Sequence, residues 1–264
     1  MIRLENIKFR NSQFFRILAI SDMHIGDKRL RTSEEYYLNL TLENIKILKP
    51  DIVINAGDIV SRLKYQKPLN PGENSANRRS KCWELYKNNF VNLCPVPLLD
   101  VCLERDKPLW SKNRGKPFSH GYENKKAKFI ALSLKKDVNI ENSLFEELKT
   151  HITSFRGTIV LAMHYPMEGT CERDTNAWVK QGKELKELIS KYSRKGIIIS
   201  GHWHAYFTTP PVKEQNIILC FAGEANSLLK NNPWGKIIDC YKEKTIISFW
   251  NFGTESVTKK YVIT

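Results

Sequence analysis

The sequence lacks any long apolar segment. Its most apolar run near the amino terminus covers residues 17–20, which is too short for a signal-peptide core or a membrane-spanning helix. The six cysteines also lack paired C-x-x-C spacing, and several lie in apolar runs such as 218–221. Cysteines of this kind are typical of reduced core residues. We therefore expect a cytoplasmic protein with no membrane segment.

Linkers and repeats are missing as well. No stretch rich in proline, glycine or serine divides the 264 residues, and no repeat period or low-complexity tract is present. The chain is long enough to bury a large core, and 41% of its residues are apolar. We therefore predict a single domain over residues 1–264.

Acidic residues are scarce relative to basic ones. The chain has 42 Lys and Arg residues against 28 Asp and Glu, which gives a formal net charge of +14. Much of the excess falls between residues 60 and 128, where basic loops are predicted at about 62–81 and 106–118. Such an excess predicts an anionic partner, such as a nucleotide or a nucleic acid. The alternative is that the charge only keeps the protein soluble.

What the chain does contain is a set of short apolar strands that end in metal-ligating residues. The run at 16–21 predicts a buried strand, and Asp22 and His24 follow its carboxyl end, where open α/β sheets bind ligands. A predicted helix, 33–48, leads to a second buried strand that ends in Asp58. Strand, helix and strand in this order predict a right-handed unit with parallel strands.

The second half of the chain repeats this pattern. A capping-box signature at 143–146 predicts the start of a helix, and the strand after it ends at His164. A helix predicted at 178–192 precedes a strand that ends with His202 and His204. The last three predicted strands have short connections, so we expect them to be antiparallel. They lie near residues 216–221, 236–241 and 245–250.

The polar residues at these strand ends suit a site for two metal ions. They are two carboxylates and four imidazoles, from Asp22, His24, Asp58, His164, His202 and His204. Oxygen and nitrogen ligands of this kind bind Mn²⁺, Fe²⁺ or Zn²⁺, and no cysteine among them favours a thiolate site. Two ions about 3.5 to 4 Å apart, with Asp58 shared, can activate a bridging water and hold a phosphoryl group. Taken alone, His164 could be a structural hydrogen bonder, but the ordered set of motifs argues for phosphoester hydrolysis.

Together these motifs resemble those of the calcineurin-like metallophosphoesterases. The successive motifs of that family are Asp-x-His, Gly-Asp, Gly-Asn-His-Asp/Glu, His and Gly-His-x-His, and four of the five are present between about residues 16 and 250. The resemblance implies an α/β fold, a four-layer αββα sandwich of two mixed β-sheets flanked by helices, with two divalent metal ions at the strand ends. By position, the first ion would be held by Asp22, His24 and His204 and the second by His164 and His202, with Asp58 shared.

The third motif departs from the family pattern. At its place the sequence reads Leu103-Glu104-Arg105-Asp106. The resemblance then puts Glu104 in the place of the Asn that binds the second metal, and Arg105 in the place of the His that contacts the substrate phosphate and assists the leaving group. Arg105 keeps its proton near neutral pH, so we expect it to bind phosphate rather than donate a proton. The alternative is that Glu104 and Arg105 form an ion pair that closes the site.

Two classes of function therefore stay open. The first is an active metal-dependent phosphoesterase, a phosphatase or phosphodiesterase in which Asp58 and Arg105 take part in catalysis. A nuclease-like phosphodiesterase belongs to this class, although the sequence has no recognised nucleic-acid-binding module. The second is a catalytically impaired relative that keeps the fold as a binding protein. The presence of all six other ligands favours the enzyme.

Overall fold

The computed structural model describes residues 2–11, 13–30, 33–61, 74–103, 106, 109–110, 119–134, 138–170, 178–203, 209–225 and 233–264. Within these ranges the strands are β1 (Arg3–Asn6), β2 (Phe14–Ser21), β3 (Ile52–Asn55), β4 (Leu98–Asp100), β5 (His120–Glu123), β6 (Ala127–Leu132), β7 (Thr158–Met163), β8 (Lys195–Ser200), β9 (Val212–Glu214), β10 (Ile217–Phe221), β11 (Gly223–Glu224), β12 (Trp234–Tyr241), β13 (Thr245–Asn251) and β14 (Ser256–Ile263). The helices are α1 (Glu34–Leu48), α2 (Ser75–Tyr86), α3 (Asn142–Thr153) and α4 (Gly182–Tyr192), and a π-helical turn, Lys87–Val91, continues α2.

The strands form two seven-stranded mixed sheets. Sheet I has the order β14-β13-β12-β2-β3-β4, with β11 paired to β2. Sheet II has the order β1-β5-β6-β7-β8-β10-β9. The strands β2, β3 and β4 are parallel in sheet I, and β6, β7, β8 and β10 are parallel in sheet II. The carboxyl ends of each parallel set therefore meet at one edge of their sheet.

Alternating side chains of the buried strands divide the interior into layers. In β2, Ile17 and Ala19 belong to a core that both sheets share. Leu18 and Ile20 point the other way and pack with residues of α1 and α2. Residues of α3 and α4 cover the outer face of sheet II in the same manner. This alternation is the two-residue period of a strand with both faces buried. The predicted four-layer αββα sandwich of two mixed sheets is confirmed.

Local capping delimits the helix between β2 and β3. The Ser33 side chain accepts a hydrogen bond of 3.2 Å from the Tyr36 backbone N–H, and Glu34 and Glu35 lie in the positively polarised first turn. The helix ends at Lys49, whose φ of 48° is the left-handed conformation common after helix ends. The parallel pairing of β2 with β3 is confirmed.

One predicted loop boundary and one predicted helix cap are wrong. Residues 75–81, predicted as part of a basic loop, belong to α2, because the Asn74 side chain accepts a hydrogen bond of 2.8 Å from the Asn77 N–H and caps a helix there. Residues 62–73 of that loop lie outside the described ranges, as does most of the loop at 106–118. The helix predicted from the capping box at 143–146 is confirmed as α3, but Ser143 does not cap it, because the helix begins at Asn142 with Glu141 as its N-cap residue.

The carboxyl-terminal strands are only partly as predicted. The antiparallel pairing of β12 with β13 is confirmed, but β10 is antiparallel to β9 and parallel to β8. A crossover between parallel strands needs roughly a dozen residues or more. The connection from Ser200 to Ile217 is longer than that, so β10 can pair with β8 in parallel. The predicted helix at 178–192 begins later, at Gly182.

Among the described residues, no helix has the length and apolar character needed to cross a bilayer. The described ranges contain five cysteines that are not joined by disulfides, and they are Cys82, Cys94, Cys102, Cys220 and Cys240.

Candidate metal centre

Two pairs of parallel strands bring predicted ligands to the same end of the sandwich. In sheet I, Asp22 follows β2 and Asp58 lies just beyond β3, whereas in sheet II His164 follows β7 and His202 lies just beyond β8. Hydrogen bonds between the sheets fix this arrangement. The His202 backbone N–H donates to Asp22 Oδ2 at 3.1 Å, and the Nδ1 atom of His164 lies 3.0 Å from the Ala56 carbonyl oxygen. The sandwich therefore places carboxylates opposite imidazoles.

Asp22, His24 and Asp58 form the first group of candidate ligands. All three are buried, and one ligand atom from each lies within 4.8 Å of the others. The His24 Nε2 atom is 3.7 Å from Asp22 Oδ1 and 3.9 Å from Asp58 Oδ2. Ligand atoms on a common Zn²⁺-type ion, each about 2.0 to 2.2 Å from it, are separated by about 3 to 4 Å. The group therefore fits a divalent ion.

His164 and His202 form the second group, with Asp58 between the two groups. The Nε2 atom of His164 is 3.8 Å from Asp58 Oδ2 and 3.2 Å from Nδ1 of His202. The Ala56 carbonyl oxygen can only accept a hydrogen bond, so the His164 proton lies on Nδ1 and the Nε2 lone pair is directed at the site. Gly57 is needed here, because a Cβ atom at its φ of +98° would lie 3.1 Å from the His164 side chain.

The backbone at the site is unusual. Asp22, His24, Asp58 and His202 have φ values of 53°, 47°, 50° and 75°. Residues other than glycine adopt this left-handed region uncommonly, and each such residue costs of order 1–3 kcal/mol. Four of them at one site indicate that packing holds the ligands in a geometry that the local chain does not favour.

Three predicted site residues lie outside the described ranges. They are Glu104, Arg105 and His204. Their roles stay predictions. The structure thus brings together Asp22, His24, Asp58, His164 and His202, which are the described candidate ligands for the two predicted ions.

The third motif is anchored through its last residue. Asp106 is buried and forms an ion pair with Arg79 of α2, and its backbone N–H donates a hydrogen bond of 2.8 Å to the Leu103 carbonyl. Sequence patterns did not identify Arg79, because its partner lies on a different element. The pair ties α2 to the segment that carries the altered motif.

Replacing Arg79 with alanine is expected to lower the free energy of unfolding by about 3–5 kcal/mol. The reason is that the buried Asp106 carboxylate then loses its ion pair with the Arg79 guanidinium group. Urea unfolding measures the loss. The double variant Arg79→Met/Asp106→Leu should recover most of it, and Lys81→Ala on the exposed side of α2 should change the stability by less than about 0.5 kcal/mol. A double variant as unstable as the single one would contradict this explanation.

A buried polar chain supports the turn before Asp58. The Asn55 side-chain amide donates to the Tyr86 hydroxyl at 3.2 Å, and that hydroxyl donates to Asp100 Oδ1 at 2.6 Å. The side-chain Oδ1 atom of Asn55 accepts a hydrogen bond of 3.3 Å from the Gly57 N–H. The chain therefore connects α2 with the ends of β3 and β4.

Asp27 holds the segment that follows His24. Burial raises the pKa of its carboxyl group, but hydrogen bonds from the Arg29 side chain and backbone and from the Ser61 hydroxyl outweigh burial and lower the pKa overall. The Arg29 side chain donates two bonds of 2.9 and 2.8 Å, and Ser61 donates one of 2.8 Å. These bonds fasten the segment after β2 to the segment after β3.

Lys236 is a fully buried cation in the core between the sheets. It lies opposite Ala19 of β2. Its Nζ atom is 4.5 Å from the Phe249 ring centroid and 3.4 Å from the Thr209 carbonyl oxygen. Burial lowers the pKa of Lys236 from 10.5 to about 8, and the neighbouring Cys220 thiol acts weakly in the opposite direction. Burial likewise raises the pKa of Cys220 to about 11.

The variant Lys236→Met is expected to raise the free energy of unfolding by up to about 3 kcal/mol at pH 7. Below pH 8 the amine is charged in the folded and unfolded chains, and the folded chain bears the full cost of burying it. As pH rises through the folded pKa of about 8 towards 10.5, the folded state loses the proton first, so this cost disappears. Urea unfolding at pH 7 and pH 10 measures the gain, with exposed Lys260→Met as the control. An equal gain at both pH values would show that packing, not charge, is responsible.

Aromatic side chains flank the second group of ligands. The Tyr165 ring centroid lies 5.2 Å from that of His164 and 4.9 Å from that of His202. The Trp203 ring centroid lies 5.5 Å from that of His202. Both aromatic residues are partly exposed, so this side of the site presents ring faces and edges next to the imidazoles.

The family model for calcineurin-like phosphoesterases matches residues 15–81 of the chain. The matched segment carries Asp22, His24 and Asp58, and the resemblance predicted from the motifs is confirmed there. No curated protein sequence matches the chain.

Solved structures share the fold over nearly the whole chain at low sequence identity. A dimetal phosphatase from Danio rerio has a TM-score of 0.68 at 11% identity, with 96% of this chain and 99% of that chain covered. The purple acid phosphatase PPD1 from yellow lupin (Lupinus luteus) seeds has a TM-score of 0.66 at 12% identity, with 97% and 55% covered. GAP50, the anchor in the inner membrane complex of Plasmodium, has a TM-score of 0.56 at 13% identity, with 96% and 89% covered. These likenesses establish the fold. The family match and the cluster of Asp22, His24 and Asp58 are the observations that favour a metal-dependent phosphoesterase.

Proposed function

We propose that this protein is a binuclear metal-dependent phosphoesterase that hydrolyses a phosphomonoester or a phosphodiester. The observation that carries the proposal is the meeting of Asp22, His24 and Asp58 from sheet I with His164 and His202 from sheet II. Two divalent ions, Mn²⁺, Fe²⁺ or Zn²⁺, would supply Lewis acidity towards the phosphoryl group and a nucleophile at neutral pH.

Each described ligand has a distinct task. Asp58 contacts an imidazole of both groups and therefore serves as the shared ligand. The Ala56 carbonyl keeps the His164 proton on Nδ1, so Nε2 is available as a ligand. The Asp22 carboxylate accepts the backbone N–H of His202 and so aligns the second group with the first.

The residues of the third motif and the last histidine complete the proposed site. Glu104 would bind the second ion and His204 the first. Arg105 would clamp phosphate oxygens with its planar guanidinium group and stabilise the charge that develops on them. Because Arg105 cannot donate a proton near neutral pH, substrates with good leaving groups would react fastest.

The substrate we propose is an aryl or nucleotidic phosphoester. The formal net charge of +14 favours anionic substrates, and Tyr165 and Trp203 place aromatic surface beside the histidines. A nuclease-like activity on nucleic acid belongs to the same proposal. We also propose a cytoplasmic location, which is supported by the cysteines in apolar runs and by the five described cysteines that are not joined by disulfides.

The second candidate function is a binding protein that has lost catalysis. The altered third motif favours it, and an anchor protein of Plasmodium shares the fold. Under this alternative the site would bind a metal or a phosphate group but would not hydrolyse a phosphoester.

Hydrolysis by metal-stripped and metal-restored protein tests the proposal. The full chain is treated with EDTA, dialysed, and assayed on an aryl phosphomonoester and an aryl phosphodiester with and without Mn²⁺, Fe²⁺ or Zn²⁺. We expect hydrolysis only after a metal is restored. Protein that binds two ions per chain and hydrolyses neither ester would favour the binding protein, and hydrolysis that survives metal removal would contradict the metal-dependent mechanism.

A further inference from the structure

The segment that joins β8 to β9 starts in the metal centre. It leaves β8 at His202, whose backbone N–H donates to Asp22 Oδ2 at 3.1 Å, and Trp203 follows. Residues 204–208, which include the predicted ligand His204, lie outside the described ranges. Thr209 is the next described residue, so contacts at Thr209 hold the far end of the segment that carries this histidine motif.

The chain is stiff where this segment ends. Thr209 is followed by Pro210 and Pro211, and β9 begins at Val212. A proline fixes its own φ at about −65° and restricts the residue before it to extended conformations. Because few backbone torsions there can change, a contact at Thr209 constrains the segment more than the same contact in a flexible loop would.

Lys236 makes such a contact from the other sheet. Its Nζ atom donates to the Thr209 carbonyl oxygen at 3.4 Å and lies 4.5 Å from the Phe249 ring centroid. Lys236 is only 1% exposed, and no carboxylate in the described part of the chain forms an ion pair with it. A buried ammonium group without an anionic partner lowers stability. Its hydrogen bond nevertheless ties β12 of sheet I to the segment that leaves the metal centre.

Lys236 lies towards the metal end of sheet I. It is opposite Ala19 of β2, and Asp22 follows Ala19 by three residues. At about 3.3 Å per residue, Ala19 and Asp22 are about 10 Å apart along the chain. The amine is therefore near the site, but a protonated lysine has no lone pair with which to bind a metal ion. Any role at the site must act through another residue.

We propose that Lys236 is a positioning residue of the metal centre, which holds the segment between His202 and β9 so that its ligands stay on the ions. This role rests on the proposed binuclear function. Proteins retain groups that lower stability chiefly where function needs them, and Lys236 is such a group. The opposite effect has an equally simple cause: a fixed positive charge repels divalent cations, so its removal would strengthen metal binding. The two effects differ in sign and can be measured.

Metal titration of Lys236→Met tests the proposal. The full chain is stripped with EDTA, dialysed and titrated with Mn²⁺ by isothermal titration calorimetry, and elemental analysis counts the bound ions. Wild type should bind two ions. Lys236→Met should bind at least one of them about 10- to 100-fold more weakly, which is the usual effect of removing a residue that orients a ligand. Urea unfolding of the metal-free proteins at pH 7 should show that the variant is the more stable, so metal affinity and stability change in opposite directions.

Lys128→Met is the matched control. Lys128 is also buried, its Nζ atom donates to the His151 carbonyl oxygen at 3.3 Å, and it lies 5.1 Å from the Phe155 ring centroid. It differs in having a carboxylate partner, Glu123, at 3.5 Å. Lys128 lies near the start of β6, away from the metal end of sheet II. Its replacement should change Mn²⁺ affinity by less than about twofold.

Several results would overturn the proposal. If wild type binds two ions and Lys236→Met binds them equally or more tightly, Lys236 has no positioning role, and the proposed function is unaffected. Weaker binding by a variant that is also less stable than wild type, or equal weakening by Lys128→Met, would show a general structural effect. Wild-type protein that does not bind two ions would refute the binuclear site and the role of Lys236 with it.

Discussion

Asp58→Ala is expected to lose both metal ions and to lower phosphoester hydrolysis by more than about 10³-fold. The Asp58 carboxylate lies 3.9 Å from the His24 Nε2 atom and 3.8 Å from the His164 Nε2 atom. Its removal takes the shared negative charge from both groups of ligands at once. Loss of a single hydrogen-bond donor to a transition state already costs about 10² to 10³ in rate, and loss of the ions should cost more. Elemental analysis and the rate on an aryl phosphodiester with Mn²⁺ measure the two effects.

A matched variant separates this effect from general destabilisation. Asp239→Ala removes another largely buried carboxylate, which pairs with Arg16 at 2.6 Å near the other end of β2. It should lower the free energy of unfolding but leave the metal content at two ions per chain. Wild-type protein that stays metal-free after incubation with Mn²⁺, Fe²⁺ or Zn²⁺ would refute the binuclear site. An Asp58→Ala protein that keeps both ions would refute the shared role of Asp58.

Arg105→His is expected to raise the rate on an alkyl phosphoester by about 10² to 10⁴-fold and to change the rate on an activated aryl ester little. A general acid contributes a factor of that size, and a poor leaving group needs it most. Arginine keeps its proton near neutral pH, whereas histidine can donate one. Wild-type protein should therefore cleave the aryl ester and act slowly on the alkyl ester. The measurement is the ratio of the two rates in both proteins.

The same arginine-to-histidine change at an unrelated surface position provides the control. Arg156 lies after α3, where its guanidinium group contacts the Tyr192 carbonyl at 3.1 Å. Arg156→His should leave the ratio of rates unchanged. Equal wild-type rates on the two esters would refute the missing-acid argument. If Arg105→His gains nothing on the alkyl ester, the alignment of the third motif is wrong or Glu104 and Arg105 close the site as an ion pair.

Much of the metal centre follows from local sequence patterns. Asp22, His24, Asp58, His164 and His202 each lie just beyond a short apolar strand, and parallel strands present such residues at one edge. The side-chain period of a buried strand also indicates which residues share a face. The same period in β12 places Lys236 on the face of Ile238 and Cys240, and this signal could have identified the buried lysine.

Contacts between distant elements were less predictable. The ion pair between Arg79 and Asp106 joins α2 to the third motif, and the Asn55–Tyr86–Asp100 chain joins α2 to two strands. Each partner alone resembles an ordinary polar residue, because only the fold reveals that it is buried. The start of α2 was missed for a simpler reason: Asn74 follows a proline- and glycine-containing stretch that reads as a continuing loop.

The sequence by itself indicated the order of the buried strands that lead to the candidate ligands and of the helices between them, the five described candidate ligands, and the resemblance to the calcineurin-like phosphoesterases, but not the strands β1, β5, β9, β11 and β14. Apolar periodicity and strand-end residues are local properties, so they can be read without knowing which strands pair. Only the tertiary structure decided that β2 pairs with β12, that β10 is parallel to β8, and that the ligands of sheet I face those of sheet II. These pairings join segments far apart in the chain, so no local pattern in the sequence reveals them.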